Sequence, residues 1–402
     1  METYARVDLS ALAHNLQSIR DLVKRPILLP VKANAYGHGL VTRIGGQLRA
    51  PLVEYVQSQG LVDWLGVATV DEGVALREAG VALPILKLSG ASAESVHAAI
   101  ASGLTLTVGD EREVREAATA ADSLGVTADV HLKIDTGMRR IGVAPQEASR
   151  LATLIESSPV LSLTGVFTHL AASENPAEDD FTASQLDRFD SAVADVEEEL
   201  GRIIGLKHAA NSGAVLRHPR AWYSMVRPGI LSYGYPQGSV EDWAFDGGDL
   251  SAFDPEDSVA RGRQGTASPL FLPVLSLVSH VSFVKTVHEG ETVSYGRTWT
   301  APRDTRVATV PLGYGDGYSR RLSNQAEVLI RGARYAQVGT VCMDQIMVDL
   351  GPTSDVAVGE QVTLIGRDGD QHIGADDVGA LLGTISYEVL CTIAARVPRV
   401  YV

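Results

Sequence analysis

With 402 residues, 45% hydrophobic and 21% charged, the chain has the composition of an ordinary globular protein of two or three domains. A formal net charge of −15 argues against nucleic acid and anionic membrane surfaces as partners. Two cysteines, Cys342 and Cys391, are too few for a disulfide framework or a cysteine-rich metal site, and no metal is expected. No apolar run approaches the ~20 residues that span a bilayer, and the opening residues lack an apolar signal core, so a cytoplasmic location is expected. Residues 4–8 alternate as a strand, and Ser10 is placed to cap a helix with Leu12, Leu16, Ile19 and Val23 on one face. Strands are predicted over 27–31, 64–68, 85–88, 104–108, 129–134, 163–168, 206–210 and 225–227. Helices over 71–79, 93–102, 111–124, 147–157 and 184–200 fall between most of them.

Eight strands in regular βα alternation over about 230 residues point to a (β/α)8 barrel, which typically needs ~250. A doubly wound open sheet is the alternative, weakened because no G-x-G-x-x-G fingerprint follows any of these strands. Residues 236–268 are acidic, glycine-containing and aperiodic, as expected of a surface loop or insertion. Strand patterns over 274–284, 306–311, 327–330, 336–338, 345–349 and 361–365 follow, broken by Gly and Asp, and imply a mainly antiparallel β domain. A helix is expected from Gly374-Ala375-Asp376. The expected division is a barrel over 11–235, a loop over 236–268 and a β domain over 269–402.

The chemistry collects where predicted barrel strands end, because those ends line barrel active sites. The first ends in Pro30-Val31-Lys32-Ala33-Asn34-Ala35-Tyr36-Gly37-His38-Gly39, which presents an amine among small residues that let a ligand come close. A lysine in a crowded site is suited to Schiff-base chemistry. Other strand ends carry Lys133 through Arg140, His169, Asn211-Ser212-Gly213 and Arg227-Pro228-Gly229-Ile230. The last two loops offer the Ser212 hydroxyl and backbone amides near Gly229 and Ile230, as a phosphate site would. Lysine plus phosphate cradle suggests pyridoxal 5′-phosphate. An arginine at Arg227 facing the pyridine nitrogen would leave that nitrogen unprotonated, since a guanidinium keeps its own protons. The ring would then be a poorer electron sink, favouring removal and return of an α-proton over transamination or decarboxylation.

Lys32 to Gly39, Lys133-Ile134-Asp135-Thr136-Gly137-Met138 with Arg140, and Arg227-Pro228-Gly229-Ile230 resemble the signatures of alanine racemases. Val293-Ser294-Tyr295-Gly296, Gly313 to Tyr318, Cys342-Met343-Asp344-Gln345, Ile385-Ser386-Tyr387-Glu388 and Arg396-Val397-Pro398-Arg399 are similar to the second half of that family. The resemblance implies an N-terminal (β/α)8 barrel bound to pyridoxal 5′-phosphate and a C-terminal β domain, with residues 1–10 packing on the latter. It implies a homodimer with shared active sites and an amino acid as the small-molecule substrate. By the same resemblance Lys32 carries the cofactor and is one base, and Tyr295 of the other subunit is the second, on the opposite face. A tyrosine ordinarily titrates near ~10 and needs help to act as a base, which the resemblance assigns to His169, linked towards Arg227 and His208. It assigns cofactor contacts to Tyr36, Ser212, Gly229, Ile230 and Tyr387, and substrate contacts to Arg140, the Met343 amide and Tyr314. Lys133 matches a lysine that is often carbamylated. Thr340 departs from the pattern, standing where an arginine is common on the substrate's path to the site. The expected activity is interconversion of L- and D-alanine for peptidoglycan synthesis, with a serine or broad-specificity amino-acid racemase as the alternative. A decarboxylase of the same fold type, or a cofactor-carrying homeostasis protein, fits Arg227 or the second domain less well.

Overall fold

The computed structural model describes residues 3–236 and 270–402. The predicted insertion at 236–268 therefore lies, apart from Pro236, outside the described residues. The helix Leu9–Val23 is capped by Asp8 rather than Ser10: the Asp8 carboxylate accepts from the Ala11 amide, and Ser10 donates to Asp8 instead. Leu12, Leu16 and Ile19 on its inner face are fully buried, each worth roughly 1.5–3 kcal/mol of transfer free energy.

Seven short parallel strands form the barrel wall. Leu28–Pro30, Trp64–Val67 and Ile85–Lys87 make one sheet. Leu106–Val108, Ala128–Lys133, Leu161–Phe167 and Leu206–His208 make the other. Single bridges Leu86↔Thr105 and Ile27↔Val226 join and close them. The expected eighth strand at 225–227 is thus reduced to one bridge. The reason is local: Pro228 follows at once, and Ser224 and Arg227 donate to Lys207 and Ala210 carbonyls outside a regular ladder. Helices between strands follow their apolar faces; Glu111–Leu124 buries Val114, Ala117 and Ala121, with Asp110 as cap and left-handed Gly125 as stop.

The second domain is a large sheet running Phe283–Val287, Thr305–Val310, Ile346–Gly351, Ala333–Val338, Glu327–Ile330, Gln361–Asp368, Leu275–His280, Tyr4–Val7 and Arg399–Tyr401. Its pairings are antiparallel except the last, so the first strand of the chain is built into this domain, as expected. One hydrophobic cluster runs from Leu12 and Leu29 in the barrel to Leu277, Leu364 and Leu390 beyond it. Asn15 ties the two parts with bonds to the Ser232 and Leu272 carbonyls and the Leu272 amide, at 3.0, 2.8 and 2.7 Å. No helix among the described residues is long and apolar enough to cross a membrane.

Candidate active site

Lys32 begins a left-handed turn. Ala33, Asn34, Ala35 and Tyr36 have φ of 52°, 57°, 53° and 52°, a conformation that costs L-residues about 1–2 kcal/mol each. Side chains from four places hold it. Glu72 accepts from the Ala33 amide at 2.7 Å while its other oxygen caps its own helix at Ala68 and Thr69. Asn34 Oδ1 accepts from the Leu40 amide at 2.8 Å. His38 Nδ1 lies 2.9 Å from both the Ala35 and Tyr36 carbonyls, so that nitrogen carries the proton. From the second domain, Arg399 donates to the Gly37 carbonyl at 2.9 Å.

The turn aims Lys32 into a cavity of about 240 Å³ lined also by Lys133, Arg140, His169, Ser212 and Arg227. Four cationic side chains thus share one small space in a strongly acidic protein. Burial, then Arg140, lowers the Lys32 pKa. Lys133 is held well below the ordinary lysine value by burial, then by Arg227 and Arg140. Its ammonium has no hydrogen-bond or ion-pair partner among the described residues and lies 4.2 Å from the Phe167 ring centre.

Arg227 is buried and has no carboxylate partner among the described residues. It donates to the Thr168 and Ala209 carbonyls at 2.8 and 3.0 Å, and to His208 and His169 Nδ1 at 2.8 and 3.3 Å. Burial, then Arg140, brings its pKa down to about 9, which leaves it charged at neutral pH. Because a guanidinium only donates, the proton of His208 must sit on Nε2, which points at His131 Nδ1 3.0 Å away. His131 therefore carries its proton on Nε2, a buried atom without a partner, tucked against Gly165 where a Cβ would lie 2.7 Å from it. Burial, then Arg227, brings His131 down to about 3, and His169 and His208 are also held well below the ordinary value.

Opposite the cations, Ser212 opens the helix Ser212–Arg217 and accepts from the Leu231 amide at 3.2 Å. Gly229 precedes the Ile230–Tyr233 turn, whose first amides have no partner within it. A Cβ on Gly229 would meet the Tyr36 hydroxyl at 2.7 Å and Ser212 Oγ at 3.7 Å, so a bare backbone is required in this cradle. Tyr387 lines the same cavity as Ser212, and burial pushes its pKa up to about 12. A hydroxyl pair, a backbone cradle and nearby cations fit a phosphate group.

Tyr295, Tyr314 and Met343 are not in this cavity. They are 71%, 42% and 53% exposed on the second domain, unusual for large apolar side chains. Tyr295 sits in a second irregular turn, with Ser294 at φ 67° and ψ −176°, Gly296 at φ 70° and Arg297 at φ 52°. Ser294 occupies a region that is essentially glycine's, at a cost of about 1–3 kcal/mol.

Residues 7–237 match the description "Alanine racemase, N-terminal domain", and residues 274–401 match "Alanine racemase, C-terminal domain". The chain belongs to the alanine racemase family. An alanine racemase of Cutibacterium acnes is 45% identical over 401 residues, covering 100% of this chain and 98% of the relative. One from Symbiobacterium thermophilum is 40% identical, covering 99% and 97%. The solved alanine racemase of Clostridium difficile superposes with a TM-score of 0.85 at 33% identity, covering 100% of this chain and 96% of that one. That of Bacillus anthracis, solved with bound L-Ala-P, gives 0.84 at 33%, covering 100% and 95%.

Of the residues that the alanine racemase signatures single out, the cavity gathers Lys32, Tyr36, Lys133, Arg140, His169, Ser212, Arg227, Gly229 and Tyr387, with Ile230 adjoining. Sequence reasoning did not single out His131 or Glu72, and it marked Arg399 only as part of the closing signature Arg396-Val397-Pro398-Arg399, without a role. His131 had a signal: it shares the inward face of its strand with Lys133, two residues on. Glu72 lies inside the predicted helix 71–79 with no mark of its own, and the bond of Arg399 to Gly37 joins positions too far apart for a local pattern to reveal.

Proposed function

We propose that the chain interconverts L- and D-alanine with pyridoxal 5′-phosphate, as a homodimer in which each barrel mouth is completed by the partner's second domain. The observation that carries this reading is the pairing, in one cavity, of Lys32 with a buried Arg227 whose partners include no carboxylate. The cradle of Tyr36, Ser212, Gly229, Ile230 and Tyr387 would hold the cofactor's phosphate, and Lys32 would hold its aldehyde carbon. When bound, the cofactor supplies an electron sink that acidifies the substrate α-hydrogen. Arg227, if it faced the ring nitrogen, would only donate to it and would keep a proton off it.

Lys32 Nζ takes and returns the α-hydrogen on one face, aided by a lowered pKa that frees its lone pair nearer neutrality. Tyr295 Oη does the same on the other face, from the partner subunit. Its exposure in one chain, outside the cavity, supports that sharing. His169, next to Arg227, assists it. Arg140 and the Met343 amide hold the substrate carboxylate, with Tyr314 beside them. Lys133, whose pKa burial holds well below the ordinary lysine value, is suited to add carbon dioxide with loss of a proton; the resulting carbamate would orient Arg140. The role in the cell is supply of D-alanine for peptidoglycan.

The test is turnover of L-alanine with added cofactor, against L-serine and L-lysine, followed by borohydride reduction and peptide mass spectrometry. Racemisation of alanine above the other two, with the pyridoxyl label on Lys32, is expected. Carbon dioxide release, or a label on another lysine, overturns the reading.

A further inference from the structure

We infer that Thr340 is a positioning residue for Tyr295: its hydroxyl clamps the turn that presents the second base. The inference rests on the reading of Tyr295 as that base. Thr340 is 5% exposed and donates through Oγ1 to the Tyr295 carbonyl at 2.7 Å. In return, Ser294 Oγ donates to the Thr340 carbonyl at 2.6 Å. The residues before and including Tyr295 are therefore stitched to one residue by two bonds running in opposite directions. Since the Thr340 proton goes to Tyr295, the Thr298 hydroxyl, 3.3 Å away, donates to Thr340 Oγ1. Asn324 donates to Thr298 Oγ1 at 3.0 Å and accepts from the Gly339 amide at 2.6 Å. Buried Gln337 accepts from the Asn324 amide at 2.8 Å and donates to the Gly339 carbonyl at 2.8 Å. The chain of bonds ends in the sheet, so the turn is referred to a rigid element.

The backbone agrees. Gly339 has φ +75°, and a Cβ there would lie 2.7 Å from the Val293 carbonyl oxygen and 2.9 Å from Ser294 Cβ. Only a glycine lets the 339–342 segment lie this close to the Tyr295 turn. Ser294 and Arg297 hold left-handed angles that persist only when their surroundings over-determine them. Thr340 supplies that constraint. At a position where arginine is the common family choice, a long cation could not make the short hydroxyl bond to the Tyr295 carbonyl, so this chain fixes its turn in its own way.

The test uses the full-length, cofactor-loaded enzyme with Thr340→Val, which keeps the shape and deletes the hydroxyl, and Thr340→Ser, which restores it. The first readout is amide hydrogen exchange over residues 292–300, with the helix Glu111–Leu124 as internal control. The second is exchange of the α-hydrogen of L- and of D-alanine in deuterium oxide. Thr340→Val is expected to speed amide exchange about tenfold over 292–300 alone. It is expected to slow the proton transfer assigned to Tyr295 by roughly 10- to 100-fold with little change in KM, the scale of a base misplaced by about 1 Å. Thr340→Ser should restore both. Should Thr340→Val fold poorly, Thr298→Val, which removes the donor to Thr340, should show the same pattern more weakly. Wild-type amide exchange over 292–300 in Thr340→Val overturns the clamp. Tyr295→Phe losing exchange equally from both enantiomers would overturn the two-base reading instead, with the amide data still deciding the clamp.

Discussion

The turns that carry Lys32 and Tyr295 are built alike and placed differently. Both leave the right-handed backbone region: four consecutive residues after Lys32, and Ser294, Gly296 and Arg297 around Tyr295. In both, side chains from distant positions supply hydrogen bonds that offset the local cost: Glu72 and Arg399 for one, Thr340 for the other. The difference is what each turn faces. The Lys32 turn lies where the two domains meet and points its amine into a cavity lined by cations. The Tyr295 turn leaves its phenol 71% exposed. On the proposed reading, these two pre-organised groups, one facing inward and one outward, are halves of a site that a single copy of the chain does not bring together.

The strongest way to break that comparison is to inactivate each half separately. Lys32→Ala and Tyr295→Phe should each lose most racemase activity, by roughly a thousandfold or more, as expected for groups that act as a unit. Mixing the two inactive proteins under conditions that exchange subunits should then restore activity. If Tyr295 serves the partner, a mixed dimer has one intact site, so random exchange should recover about a quarter of the wild-type rate. A mixture that stays inactive would mean that Tyr295 serves its own chain, or neither.

A smaller but sharper test uses one glycine from each turn. Gly37 has φ +84°, and a Cβ would meet the Leu390 carbonyl oxygen at 2.0 Å, backbone against backbone. Gly296 has φ +70°, yet its nearest neighbour would be Thr298 Cγ2 at an ordinary 3.4 Å. Gly37→Ala should therefore cost about 3 kcal/mol or more, combining strain with a forced separation of the helix Ser386–Cys391. Gly296→Ala should cost about 1 kcal/mol, the left-handed penalty alone. Denaturant midpoints at unchanged m-value measure both; equal losses would remove the distinction between a buried and an open turn.

The same contrast explains what the sequence revealed. Barrel strands and their helices follow apolar periodicity, and the residues that point into the cavity fall at strand ends, so Lys32, Lys133, His169, Ser212 and Arg227 were legible one by one. The left-handed course after Lys32 was not, because only Asn34 favours such angles while Ala33, Ala35 and Tyr36 carry no signal for them; the turn is held by Glu72 and Arg399, 40 and 367 positions away from Lys32. The eighth strand was over-read because Met225-Val226-Arg227 is apolar enough for a strand, while Pro228 has no amide to continue a ladder and the backbone keeps only the Ile27↔Val226 bridge and the Ser224 and Arg227 donations. Tyr295 was legible only through family signatures, since an exposed tyrosine in a short β-rich segment has no local mark of chemistry.

The remaining prediction separates the two regions by acid. Around the Lys32 turn and Arg227, burial brings His38 down to about 4 and His131 to about 3, and holds His169 and His208 well below the ordinary value. Unfolded histidines titrate near ~6.5. Below that pH the unfolded chain binds protons that the folded barrel refuses. The stability these groups confer is therefore complete above pH ~6.5 and is lost as pH falls towards their folded values, by up to ~1.4 kcal/mol per pH unit for each histidine. On the Tyr295 side, His288 is exposed and its partner Asp304 raises its pKa, so acid carries no such penalty there. Between about pH 7 and pH 5, amides of residues 32–40 should lose protection faster than those of 292–300, once intrinsic exchange rates are divided out. His131→Gln, which keeps a buried amide against His208 but binds no proton, should flatten the pH dependence of the denaturant midpoint by about one proton. An unchanged slope in that variant would mean that His131 is already protonated in the fold. The tautomer chain from Arg227 through His208 would then run the other way.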